Sequence, residues 1–135
     1  QNPWIEKWCA FNEGLCLYGE VFGQVQDLKY GAKQNELFFR VFDILQYGRW
    51  LDYSNMLLAG LDLSHNGNDI KFITQLYRGP YIEEEILKHV DGQSTIENAN
   101  CIREGIVIRP FIERTDVEIG RVQLKIVSNA YLEKH

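Results

Sequence analysis

With 135 residues and 15.8 kDa, the chain has the length of one domain or of part of a larger one. Folding at this size buries roughly two-thirds of the surface an open chain exposes, so a real core is within reach. Hydrophobic residues make up 45% and charged residues 24%, which excludes a disordered segment, and a net charge of −5 excludes a broad cationic coat for nucleic acid while leaving room for a local basic site. No apolar stretch approaches the ~18 residues that a membrane span needs. Cys9, Cys16 and Cys101 are an odd number without a Cys-x-x-Cys pair, which argues against a disulfide framework or structural zinc and for a reducing, cytoplasmic setting. His65, His89 and His135 are scattered without ligand spacing. A chain that opens on Gln1 rather than Met reads as a piece of a longer protein.

Asn2-Pro3 followed by Trp4, Ile5, Trp8 and Phe11 predicts a capped helix that stops near Gly14. Residues 15–22 are aromatic and β-branched, and read as a strand. A glycine-bounded connection follows over 23–31, and the nearly unbroken apolar run 36–45 predicts a strand buried on both faces. A short helix is expected over 52–61, turn chemistry over 64–69 and a strand over 71–76. Gly79-Pro80 introduces a helix over 81–90, with Glu83, Glu84 and Glu85 at its positive end and Gly92 beyond its close. After a loop over 92–100, strands over 105–112 and 121–127 are joined by the charged turn E-R-T-D. The fold class is α+β, with antiparallel strands toward the C-terminus.

Four residues stand out chemically. Glu20 lies in L-C-L-Y-G-E-V-F-G, where a carboxylate needs solvent, an arginine or a ligand. Glu104 sits at the mouth of the apolar strand G-I-V-I, with Gly105 beside it removing a side chain and allowing a close approach. Lys125 is the one charge in V-Q-L-K-I-V, and either snorkels to the surface or meets an anion. Phe42 shares a strand face with Phe38 and Arg40 by alternation, and is either core or a stacking platform for a base. Singly, each has a plain structural reading. Together, two carboxylates, a lysine and an aromatic face make the inventory of a nucleotide site for phosphoryl or nucleotidyl transfer. A P-loop and a Gly-x-Gly-x-x-Gly are both absent, no Ser/His/Asp set stands out, and nothing activates Cys101 and His89 as a nucleophilic pair.

The segments L-Y-G-E-V-F-G (17–23), F-F-R-V-F-D-I (38–44), R-E-G-I-V-I-R-P (103–110) and L-K-I-V-S-N-A-Y-L (124–132) resemble, in order, motifs III, IIIa, IV and V of ATP-dependent RNA ligases. These enzymes belong to the covalent nucleotidyltransferases, with DNA ligases and mRNA capping enzymes. The resemblance covers about residues 15–132, and G-P-Y-I-E-E-E-I-L also looks like the RNA ligase branch. It implies an antiparallel-sheet-rich nucleotidyltransferase fold, with residues 1–135 forming part of an adenylyltransferase domain.

By the same resemblance, Glu20 contacts the adenosine ribose and Phe42 stacks on adenine. Glu104 helps to bind Mg²⁺ or Mn²⁺ and supports lysine adenylylation, and Lys125 contacts the α-phosphate of ATP. The implied partners are RNA 5′-phosphate and 3′-OH ends, with no membrane. Two departures from the family pattern qualify this. The nucleophile motif Lys-x-Asp-Gly is missing upstream of Glu20, so the first part of the domain is expected to lie outside the chain, and the chain alone is expected not to adenylylate itself. The near match K-H-V-D-G (88–92) has one residue too many and reads as a helix end. Motif V often carries Lys-x-Lys, and Gln123 stands at its first position here. The alternatives are a related transferase of the DNA ligase or capping type, or an inactive nucleotide- or RNA-binding module.

Overall fold

The computed structural model describes residues 3–24, 29–64 and 70–134, with the backbone alone of 61–64; the expected turn over 64–69 falls almost wholly outside them, as do His65 and His135. Helix α1 (Pro3–Phe11) opens on proline, whose fixed φ suits a first turn, and buries Trp8 completely. Asn12 closes it by donating from both its backbone and its side chain to the Trp8 carbonyl. Gly14, at φ 81°, then reverses the chain into strand β1 (Leu15–Gly23).

β1 pairs antiparallel with β2 (Leu37–Gln46), which pairs in turn with the short β3 (Arg49–Trp50). The ladder carries a bulge: Gly19 lies opposite Val41 but Tyr18 lies opposite Asp43, so Phe42 is the extra residue. Gly19 makes this possible, because a Cβ there would collide with the Phe39 ring and the Arg40 carbonyl. In an unbroken strand Val41 and Ile44 would face opposite ways. The bulge turns both into the core, where they meet Trp8 and Met56 of α2 (Tyr53–Ser64). β2 is sealed on both faces at Asp43 and Ile44, as expected, but opens at the bulge, where Phe42 is 37% exposed.

The strand expected over 71–76 shrinks to one parallel bridge. Val41 N–H donates to the Lys71 carbonyl and Ile73 N–H to the Val41 carbonyl, and Phe72 packs its ring where Gly60 of α2 lacks a Cβ. The physical reason is room: β3 already occupies the later part of that edge of β2.

The helix expected over 81–90 forms as α3 (Glu83–Leu87), shorter than predicted and continued by tight turns through Val90. Lys88 is its C-cap and pairs with Glu85, an exposed i,i+3 contact. Asp91 accepts from the Ser128 hydroxyl, and the Arg103 guanidinium donates to the carbonyls of His89, Asp91 and Gln93. K-H-V-D-G is thus a helix end tied down by its neighbours, as expected.

β4 (Gly105–Ile108) pairs antiparallel with β7 (Leu124–Val127). Pro110 follows β4, which ends earlier than the sequence suggests. The segment between them is more than a turn: β5 (Thr115–Asp116) and β6 (Gly120–Arg121) form a small hairpin of their own. Helix α4 (Asn129–Leu132) closes the described chain, capped by the Ser128 hydroxyl accepting from Tyr131 N–H. No helix among the described residues is long and apolar enough to cross a membrane.

Four charges tie the C-terminal half to the first sheet. Asp43, 3% exposed, accepts from Arg109 (3.0 Å) and twice from Arg121 (2.7 and 2.8 Å). Glu113 accepts from both arginines as well. Arg109 also donates to the carbonyls of Phe42 and Leu51, and Glu113 N–H donates to Asp52. The Arg121 guanidinium lies 4.1 Å from the centre of the Trp50 ring, which Tyr18 meets edge-on. Burial alone would lower the Arg121 guanidinium, but its hydrogen bonds to Asp43 and Glu113 override burial and raise it.

Candidate active site

Of the four chemistry-bearing groups, Glu104 is held directly by Tyr30. Its hydroxyl donates to Glu104 Oε1 at 2.8 Å, and its ring meets Phe22 edge-on at 5.4 Å. Phe22 in turn lies 5.4 Å from Phe38 across the β1–β2 ladder. Burial is the main cause that pushes the Tyr30 phenol upward, followed by its hydrogen bond to Glu104 and then by the charges of Glu104, Cys101 and Glu20. The Glu20 carboxylate therefore acts on the same hydroxyl that Glu104 holds. In the register of the sheet Glu20 lies directly across from Arg40. Burial lowers the half-buried Arg40 guanidinium, and the charge of Glu97 partly restores it.

Glu104 is positioned by backbone as well as by Tyr30. Its carbonyl accepts from Ser128 N–H at 2.8 Å, immediately before β4 begins. Gly105 has φ 153°, and a Cβ there would strike the Ile126 carbonyl oxygen. The sequence suggests that this glycine admits a ligand; what it admits is the backbone of β7. That close approach fixes the level of Glu104 against Ser128.

Lys125 lies on β7 opposite Val107, both exposed. It is three residues from the Ser128–Glu104 rung, about 10 Å along the strand. Its ammonium makes no hydrogen bond or ion pair among the described residues. Phe42 sits at the bulge, two residues along β2 from Arg40, with its ring partly open and its carbonyl held by Arg109. The structure thus joins Glu104 to Tyr30 within range of the Glu20 charge, places Phe42 further along the sheet that carries Glu20, and leaves Lys125 exposed on the neighbouring ribbon.

No group of three or more His, Cys, Asp or Glu residues gathers to hold a metal ion among the described residues. Magnesium needs only one or two carboxylates where phosphate oxygens and waters complete its shell. Glu104 suits that role, because the Tyr30 hydrogen bond occupies Oε1 and leaves Oε2 outside it.

Several functional neighbours escape sequence reading. Tyr30 lies in a glycine-bounded connection with no periodic signal. The Asp43–Arg109–Arg121–Glu113 cluster joins residues far apart in the chain. The one available hint was a lone carboxylate, Asp43, in an apolar strand, the same signal that singled out Glu20.

The RNA ligase family model matches residues 3–127. The chain therefore belongs to the RNA ligase family. It resembles solved structures of the Naegleria gruberi RNA ligase. A mutant of that enzyme with AMP and manganese is 29% identical with a TM-score of 0.77. Another mutant, with ATP and manganese, is 30% identical with a TM-score of 0.76, and the enzyme with pyrophosphate is 30% identical with a TM-score of 0.75. In each case the match covers 99% of this chain and 38% of the other, so the chain spans well under half of those ligases. No curated protein sequence matches it significantly. These matches favour the RNA ligase reading over the DNA ligase and capping alternatives.

Proposed function

We propose that residues 1–135 form part of the adenylyltransferase domain of a cytoplasmic, ATP-dependent RNA ligase. The whole protein would join RNA 5′-phosphate and 3′-OH ends. The observation that carries this reading is the hydrogen bond that holds Glu104 to Tyr30, felt electrostatically by Glu20, in a chain that the RNA ligase family matches over residues 3–127. The likeness to a ligase crystallised with ATP or AMP and manganese supports ATP as the co-substrate and a divalent cation as the cofactor.

The reaction runs in three transfers. A lysine amine attacks the α-phosphorus of ATP, loses its proton, and expels pyrophosphate. An RNA 5′-phosphate oxygen then takes the AMP, breaking the phosphorus–nitrogen bond and returning the lysine. Finally the 3′-OH attacks that 5′-phosphate and AMP leaves, sealing the strand. No Lys-x-Asp-Gly occurs in these 135 residues, so the attacking amine belongs to another part of the protein. Within this chain Glu20 would hold the ribose, Phe42 would stack on adenine, and Lys125 would grip the α-phosphate. Gln123 leaves that grip one charge short of the family pattern, and Arg40, across from Glu20, is a further cation on the sheet. Magnesium or manganese, held by Glu104 directly or through water, supplies charge neutralisation at the phosphates when bound.

The test is transfer of radiolabel from [α-³²P]ATP to the protein. Full-length protein with Mg²⁺ or Mn²⁺ is expected to become covalently labelled, and residues 1–135 alone are not. In the full-length protein Glu104→Ala and Lys125→Ala are each expected to abolish or greatly reduce labelling. Full-length protein that stays unlabelled with either metal overturns the reading; normal labelling in both variants overturns the site assignment. Sealing of nicked RNA in preference to nicked DNA separates the RNA ligase from its relatives.

A further inference from the structure

Tyr30 is an unusual place for a large side chain. Its φ is 46°, in the left-handed region that bulky residues avoid, and Gly31 follows at φ 73°. Gly31 has no room for a Cβ, which would strike the Asn98 carbonyl. Backbone held in such regions persists only where its surroundings over-determine it, and tends to gather at working sites. Here the strained turn delivers a half-buried phenol to a carboxylate 74 residues away, with the ring braced against buried Phe22.

A strut between two loops would need no hydroxyl aimed at a carboxylate oxygen. We infer that Tyr30 is a positioning residue. By occupying Oε1 it fixes the rotation of the Glu104 carboxylate and presents Oε2 to the cation or to a water in its shell. This deepens the proposed function and rests on the assignment of Glu104 to the metal. Partners that orient a metal-binding carboxylate contribute strongly to metal affinity although they never touch the ion.

The experiment uses the full-length protein and a non-hydrolysable ATP analogue. Tyr30→Phe removes one oxygen and keeps the ring. In the variant, the dissociation constant for Mn²⁺, read from its electron paramagnetic resonance signal with the analogue bound, is expected to rise about tenfold or more. Affinity for the analogue without metal is expected to change by less than about twofold, because Tyr30 acts through the carboxylate and not on the nucleotide. In a Glu104→Gln background Tyr30→Phe is expected to add no further loss of Mn²⁺ affinity. Unchanged Mn²⁺ affinity overturns the inference. So does a parallel fall in metal affinity, metal-free nucleotide affinity and unfolding midpoint, which is the pattern of a strut. Should Tyr30→Phe not fold, Phe22→Leu, which loosens the ring and keeps the hydroxyl, is expected to weaken Mn²⁺ binding while leaving metal-free affinity for the analogue unchanged, and unchanged Mn²⁺ affinity there overturns the inference equally. Wild-type protein that never labels with ATP would instead defeat the functional reading itself.

Discussion

The Phe42 ring owes its exposure to one supernumerary residue in a strand, and its proposed role follows from that exposure. Stacking of a base on an aromatic face is worth ~1–3 kcal/mol, so Phe42→Ala in the full-length protein is expected to weaken ATP binding by about 5- to 150-fold, measured by equilibrium titration. Unchanged affinity would move the platform to Phe38 or Phe39. The cysteines give a second residue-level expectation. Burial raises the Cys101 thiol above its ordinary range; the hydrogen bond with Ser94 opposes this and the charge of Glu104 adds to it. A raised thiol holds less thiolate at any given pH, and thiolate is the reacting form. Cys101 is thus expected to alkylate with iodoacetamide at pH 8 more slowly than exposed Cys9 and Cys16, as followed by peptide mass spectrometry. Equal rates at all three would contradict the surroundings described for Cys101.

Among elements, the junction between the first sheet and the C-terminal half is the critical one. Removing one partner from a buried ion pair strands the others, at a cost of about 3–5 kcal/mol. Asp43→Ala, which leaves two guanidinium groups sharing the single carboxylate of Glu113, is expected to lower unfolding stability by that order in denaturant titrations. Lys88→Ala, which breaks only the exposed pair with Glu85, is expected to change it by less than about 1 kcal/mol. Comparable losses would show that the junction contributes nothing special. Most elements are legible in the residues alone. α1, β1, β2 and α2 each carry a local signal, in the form of proline and apolar spacing, aromatic runs or strand-length apolar blocks. What escapes is decided between elements. The bulge depends on Gly19 meeting Phe39 and Arg40 from the other strand. Residues 71–76 look like a strand, but β3 takes the later part of the edge they would join. The β5–β6 hairpin hides in a segment whose charges suggest a turn. The same division holds for the candidate site: Glu20 and Glu104 stand out as charges in apolar runs, whereas Tyr30 shows its part only once the loop is closed onto β4.

At the scale of the whole molecule, much of the open apolar surface lies in the C-terminal half, at Val107, Phe111, Ile112, Val117, Ile119 and Leu124. The isolated 135-residue chain is therefore expected to bind the dye ANS and to unfold over a broad range, and the full-length protein to do neither. A sharp transition with no dye binding by the isolated chain would mean that this surface needs no cover.

The four-charge junction has one more implication. Asp43 and Glu113 cancel Arg109 and Arg121, so the latch is electrically neutral and largely shut away from water. Counter-ions have little to screen there, whereas they crowd an open cation such as Lys125. Brine should therefore loosen any phosphate held at such a cation well before it unfastens the scaffold, so that a bound anion can be rinsed away with the fold intact.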